Sequence, residues 1–236
     1  MAASCPGYAS WETLPNFQTR VTYQGQTYIP VFTGATASEK TFIARLQEAW
    51  AKYGDMITRA TEGTGFPIPW FMGILCAESL GNINACAPCG KENGCGLTNC
   101  TQCCAFGIMQ IIDSTARAYG GVTGASLLGN PELSFKVAAK LFVSIVSRYG
   151  MNLPMIAGAY NSGGFTCRQF SSPNMFGNIE NNGYTQRVVT FANTAVALGI
   201  GTGASGTASA RTAPATIVGG LLVAGSALAL MWHWRR

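Results

Sequence analysis

Residues 69–82 read PWFMGILCAESLGN. Proline is tolerated in the first turn of a helix and Gly81-Asn82 supplies a stop, so the stretch predicts a helix from about Pro69 to about Leu80. It is apolar until Glu78. The nearest charged side chains in sequence are Glu62 and Lys91, so no local cation offsets the desolvation of that carboxylate. Helical spacing places Glu78 on the side of Phe71 and Ile74, surroundings that favour the protonated form and suit a general acid working near neutral pH. A helix-end glutamate that simply reaches solvent is the plainer alternative, and this stretch alone does not decide between them.

The same helical rhythm extends outward from it. Ser38 is a candidate cap, and Phe42, Leu46, Ala49, Trp50 and Tyr53 recur at helical spacing behind it. Further helices are predicted at 114–119, 131–149, 153–160 and 184–198, which makes the domain mainly α. A chain of 236 residues with 48% hydrophobic and 11% charged residues suffices for one main core plus attachments. The net charge of +5 favours anionic surroundings, but no dense Lys/Arg run or basic-aromatic stripe is present, which argues against a nucleic-acid partner. No P-loop occurs.

The two ends differ from the middle. RVTYQGQTYIPVF, residues 20–32, alternates by two about Gln24-Gly25 and predicts a short β-hairpin within an N-terminal extension, 1–37. At the other end, 199–212 is small and polar, a flexible linker, and 213–234 lacks Asp, Glu, Lys and Arg. Twenty-two helical residues span ~33 Å, enough for a ~30 Å hydrocarbon core, so 213–234 is expected to be a transmembrane helix with Trp232 and Trp234 at the interface. His233 then falls at that interface, far from any catalytic site.

Five strings follow one another through the middle: ESLGNINA (78–85), FGIMQI (106–111), STARAYG (114–120), IAGAYNSGG (156–164) and GYTQRV (183–188). Their order and approximate spacing resemble the soluble lytic transglycosylase family, over residues ~38–198. The resemblance implies an α+β lysozyme-like catalytic domain that cleaves the MurNAc–GlcNAc β-1,4 linkage of peptidoglycan without water, leaving 1,6-anhydroMurNAc ends and using no cofactor for catalysis. It implies that Glu78 is the catalytic residue, first acid and then base. It also assigns substrate contacts or support of the acid to Ser79, Met109, Gln110, Tyr160, Asn161 and, least securely, Tyr184.

The chain departs from the family pattern beside Glu78. Glu78 and Gly107 are 29 positions apart, longer than the family's usual spacing, and the excess is CAPCGKENGCGLTNCTQCC, an insertion over 86–104. Ala87 stands where the family often has a serine, leaving Thr98 or Thr101 as substitutes, and Cys104 replaces a glycine. Six of the nine cysteines lie in the insertion. Cys86, Cys89, Cys100 and Cys103 have the spacing of a structural zinc site, and disulfides are the equal alternative. Cys76 reads as an inert core thiol.

Three activities compete: transglycosylation; hydrolysis by a lysozyme of the same superfamily, with Glu92 or Asp113 as the water-activating carboxylate; and a wall-binding scaffold without catalysis. The expected partners are peptidoglycan strands, a lipid membrane and other virion or envelope-complex proteins. The expected setting is a bacteriophage particle with an internal membrane, for local wall penetration during infection, or a secretion or conjugation apparatus on the periplasmic face of a bacterial inner membrane.

Overall fold

The computed structural model describes residues 2–4, 10–23, 25–88, 103–165 and 183–202. Six α-helices are described: α1 (Ala37–Thr61), α2 (Ile68–Ser79), α3 (Asp113–Gly120), α4 (Pro131–Tyr149), α5 (Leu153–Ser162) and α6 (Tyr184–Ala197). A 3-10 turn, Gly124–Leu127, lies between α3 and α4. Strands β1 (Ala2–Ser4), β2 (Ser10–Thr13), β3 (Thr19–Tyr23) and β4 (Gln26–Tyr28) form one antiparallel sheet in sequence order. Strands β5 (Cys86–Pro88), β6 (Cys103–Phe106) and β7 (Ile111–Ile112) form a second.

Helix starts follow local chemistry. Thr36, not Ser38, caps α1: its Oγ1 accepts the Glu39 N–H at 3.1 Å while its own backbone is extended. Asn130 and Asn152 cap α4 and α5 in the same way, each followed by one residue and then, or directly by, a proline in the first turn. α2 begins behind Pro67 and ends where Leu80 turns left-handed at φ 51°. Between those ends every residue from Pro69 to Cys76 is buried. The α2–α6 crossing is close at Gly73, where an added Cβ would lie 2.7 Å from Val188 O and 2.8 Å from Ala192 Cβ. Around it Phe66 stacks on Phe142 at 4.4 Å, and Phe71 meets Phe135 and Phe142 edge-on.

Two parts of the expected fold class are corrected. The N-terminal extension carries a hairpin, β3–β4, but as half of a four-stranded sheet, because Ser10–Thr13 pairs with Thr19–Thr22 and Ala2–Ser4 pairs in turn with β2. The residues before Arg20 alternate too briefly to announce those strands. Side chains tie β2, β3 and the turn between them to the helical layer. Asn193 of α6 accepts Thr19 N–H at 2.7 Å and donates to Thr19 O and Pro30 O. Trp11 donates to the capping Asn152, and Trp70 donates to Phe17 O.

The other correction concerns the membrane helix. Among the described residues no helix is long and apolar enough to cross a membrane. Apolar α2 has 12 residues, ~18 Å, and the longer α1 and α4 carry several charges each. The fold class is therefore mainly helical with two small sheets. Residues 213–234, where the transmembrane helix was expected, lie outside the described residues, as does the linker beyond Thr202.

Candidate active site

Glu78 occupies the last turn of α2 and is 6% exposed. Its backbone position follows from the helix. Its surroundings come from three later segments. Tyr184, the first residue of α6, donates its hydroxyl to Glu78 Oε1 at 2.7 Å. Gly183 precedes it at φ 73°, a left-handed turn that starts the helix with the tyrosine pointing inward.

Tyr160 comes from α5. Its hydroxyl donates to Met109 O at 2.6 Å, and its ring packs against Phe142 with centroids 5.3 Å apart. Burial and the nearby Glu78 charge raise the pKa of both tyrosines well above the usual phenol value, with the Tyr160 and hydrogen-bond contributions adding for Tyr184. Both phenols are therefore neutral donors at physiological pH, which fits the directions of their hydrogen bonds.

The turn 107–110 closes one side. Gly107 stands at φ 70°, where a Cβ would meet Leu127 O at 2.7 Å, so glycine is required there on two counts. Gln110 adopts φ 49°, uncommon for a residue with a side chain, and its amide Nε2 donates back to Gly107 O at 2.8 Å. Ser79 Oγ donates to Ile108 O at 2.7 Å and accepts Gly81 N–H at 3.2 Å, so it ties the end of α2 to this turn. Met109 is fully buried and contributes its carbonyl as the acceptor for Tyr160.

The sequence-derived set is thus partly drawn together. Glu78 and Tyr184 are in direct contact, Tyr160 is electrostatically coupled to both, and Ser79, Met109 and Gln110 build the adjoining turn. Asn161 is half-buried, next to Tyr160 on α5. The residue ranked last from sequence, Tyr184, is bonded to the Glu78 carboxyl. Arg187, not singled out from sequence, lies with its guanidinium carbon 5.9 Å from the Tyr184 ring centroid. Its place three residues after Tyr184 in a predicted helix was the available signal.

Of the two carboxylates weighed as water activators, Asp113 is engaged at the start of α3. Its Oδ1 accepts Gly124 N–H and its Oδ2 accepts Arg117 Nε, both at 2.7 Å, and these bonds lower its pKa. Glu92 lies outside the described residues, with Thr98 and Thr101. Ala87 is buried and offers no hydroxyl.

Cys86 is disulfide-bonded, which takes its sulfur out of the four-thiolate zinc set. Cys89, Cys95 and Cys100 lie outside the described residues. Among the described residues no cluster of three or more His, Cys, Asp or Glu is placed to hold a metal. Cys76 is buried and unbridged, and burial pushes its thiol far above the ordinary range, leaving it unreactive.

Solved structures that resemble this fold include two lytic transglycosylases. The 70 kDa soluble lytic transglycosylase of Escherichia coli matches with a TM-score of 0.49 at 22% identity, over 64% of this chain and 25% of that one. The lytic transglycosylase Slt of Pseudomonas aeruginosa, solved as an inactive mutant, matches with a TM-score of 0.46 at 19% identity, over 63% of this chain and 24% of that one. The chain thus spans about a quarter of the length of the solved structures it matches. No curated protein matches it. The profile of the transglycosylase SLT domain matches residues 55–182, more than half of the 236, from within α1 to just short of Tyr184. The chain belongs to the soluble lytic transglycosylase family of lysozyme-like proteins.

Proposed function

We propose that this member of the family cleaves peptidoglycan glycan strands by non-hydrolytic transglycosylation, with Glu78 as the one acid and base. The observation that carries the reading is a buried carboxyl held by the hydroxyl of Tyr184 at 2.7 Å, within a chain whose SLT domain match encloses it.

Burial favours the protonated carboxyl and the phenol's hydrogen bond favours the ionised one, so the group is suited to pass between the two forms during turnover. In the first half, Glu78 gives its proton to the glycosidic oxygen as the bond from the MurNAc anomeric carbon to that oxygen breaks, releasing the GlcNAc hydroxyl. In the second half, the Glu78 carboxylate takes the proton of the MurNAc 6-hydroxyl as that oxygen bonds to the anomeric carbon. The acid is regenerated and no water is consumed. Tyr184 keeps the carboxyl oriented throughout, and Tyr160, held against the Met109 carbonyl, forms part of the wall beside it. Hydrolysis needs a second carboxylate to activate water; of the two weighed, Asp113 has both oxygens engaged and Glu92 lies outside the described residues.

Digestion of purified sacculi tests the reading. Products ending in 1,6-anhydroMurNAc, absent with Glu78→Gln, are the expected result. Reducing ends would establish hydrolysis instead, and glycan binding without cleavage would establish a scaffold.

A further inference from the structure

Arg187 lies one turn along α6 from Tyr184, with its guanidinium carbon 5.9 Å from the centre of the tyrosine ring. That ring's hydroxyl is 2.7 Å from Glu78 Oε1. Carboxyl, phenol and guanidinium thus form a row that runs from the buried end of α2 to a residue more than a third exposed. The row has an electrostatic sense. Desolvation weakens the charged form of Arg187, while Tyr184 and Glu78 strengthen it, and by reciprocity the cation favours an ionised Glu78.

Among the described residues, the other elements at this end of α2 supply little competing charge. Within α2 itself the other ionisable side chain is the buried, neutral Cys76 thiol. α5 brings Tyr160, and the turn 107–110 has no ionisable side chain. α1 brings Tyr53, whose hydroxyl reaches Gly81 O at 3.5 Å, with the Lys52 ammonium 5.1 Å from the Tyr53 ring centroid.

We propose that Arg187 is a positioning residue for the transglycosylation assigned to Glu78: laid against the Tyr184 ring, its permanent charge steadies the phenol and offsets the cost of a buried carboxylate. This rests on Glu78 being the acid. It adds a cation to a site whose ionisable groups, among the described residues, are otherwise one carboxyl and two phenols. The contribution matters between the two half-reactions, when the carboxyl is ionised and has not yet taken its second proton.

The test reads Glu78 directly. Its side-chain carboxyl carbon is labelled with 13C, assigned with Glu78→Gln, and titrated in the wild-type chain, Arg187→Met and Arg187→Lys, with near-UV circular dichroism confirming the packing of each. Since Arg187 is partly exposed and screened, the midpoint is expected to rise by about half a unit in Arg187→Met and by less than about 0.2 in Arg187→Lys. The alkaline limb of kcat/KM for release of anhydromuropeptides should move up by the same amounts. Arg187→Gln carries the same expectation should the methionine variant not fold. An unmoved midpoint overturns the assignment whether or not the chain cleaves glycan. If the midpoint moves as expected while the wild type releases no anhydro product, the transglycosylase reading fails and the electrostatic one stands.

Discussion

Replacing Tyr184 with Phe removes one hydroxyl and leaves the ring in place, so it isolates the bond that holds Glu78. Hydrogen bonds to charged groups contribute about 1.5–3 kcal/mol, and a shift of one pH unit corresponds to about 1.4 kcal/mol. The bond is short, at 2.7 Å, and both residues are buried, so solvent replaces it poorly. The variant can relieve the lost donor by keeping Glu78 protonated, which makes the effect one on proton affinity more than on folding. The sign follows from that. Without the phenol the ionised carboxyl is less favoured, the acid form persists to higher pH, and the alkaline limb of kcat/KM moves up by about one unit. The loss of orientation lowers kcat by about ten-fold, roughly 1.4 kcal/mol. The assay is the initial rate of anhydromuropeptide release from purified sacculi, quantified by mass spectrometry across a pH series, beside a thermal melt of each protein. A pH profile that superposes on the wild type, with equal kcat, would refute the claim that Tyr184 holds the acid in the working enzyme.

Four further outcomes follow from the packing. Glu78→Gln keeps the fold and reduces turnover by about 10²–10⁴-fold, measured on the same sacculi. Gly73→Ala forces a methyl against Val188 O and Ala192 and costs about 1–3 kcal/mol, which lowers Tm by several degrees in a scanning calorimeter. Asn193→Ala strands the Thr19 N–H, Thr19 O and Pro30 O beneath the N-terminal sheet. Urea titration should show about 2–4 kcal/mol less stability, and limited proteolysis should cut first within residues 10–36. Asp113 has a lowered native pKa, so its contribution is present at neutral pH and is lost as the pH falls through the native value. The stability gap between wild type and Asp113→Asn should therefore shrink on going from pH 7 to about pH 3, and a gap that widened in acid would reverse the assignment.

The sequence by itself determined the elements whose signals are local. Proline-led starts, glycine stops and helical spacing announced α2, α4 and α5 nearly to the residue, because capping and burial of one face are decided within a few turns. Five ordered strings carried the family and singled out Glu78. Local signals ran short in the N-terminal region, where β2 and β3 are held by Asn152 and Asn193, residues far along the chain. Composition at 213–234 gave a hydrophobic run that lies outside the described residues, and the described helices include no membrane span.

Only the tertiary structure decided which residue addresses the acid. Tyr184 and Glu78 are 106 positions apart, and their hydroxyl-to-carboxylate contact exists because Gly73 lets α6 approach α2 closely while Gly183 starts α6 with its tyrosine inward. A hydrogen bond is formed or lost over less than an ångström, and that last ångström is set by how two helices interlock, a quantity no periodicity in either helix encodes.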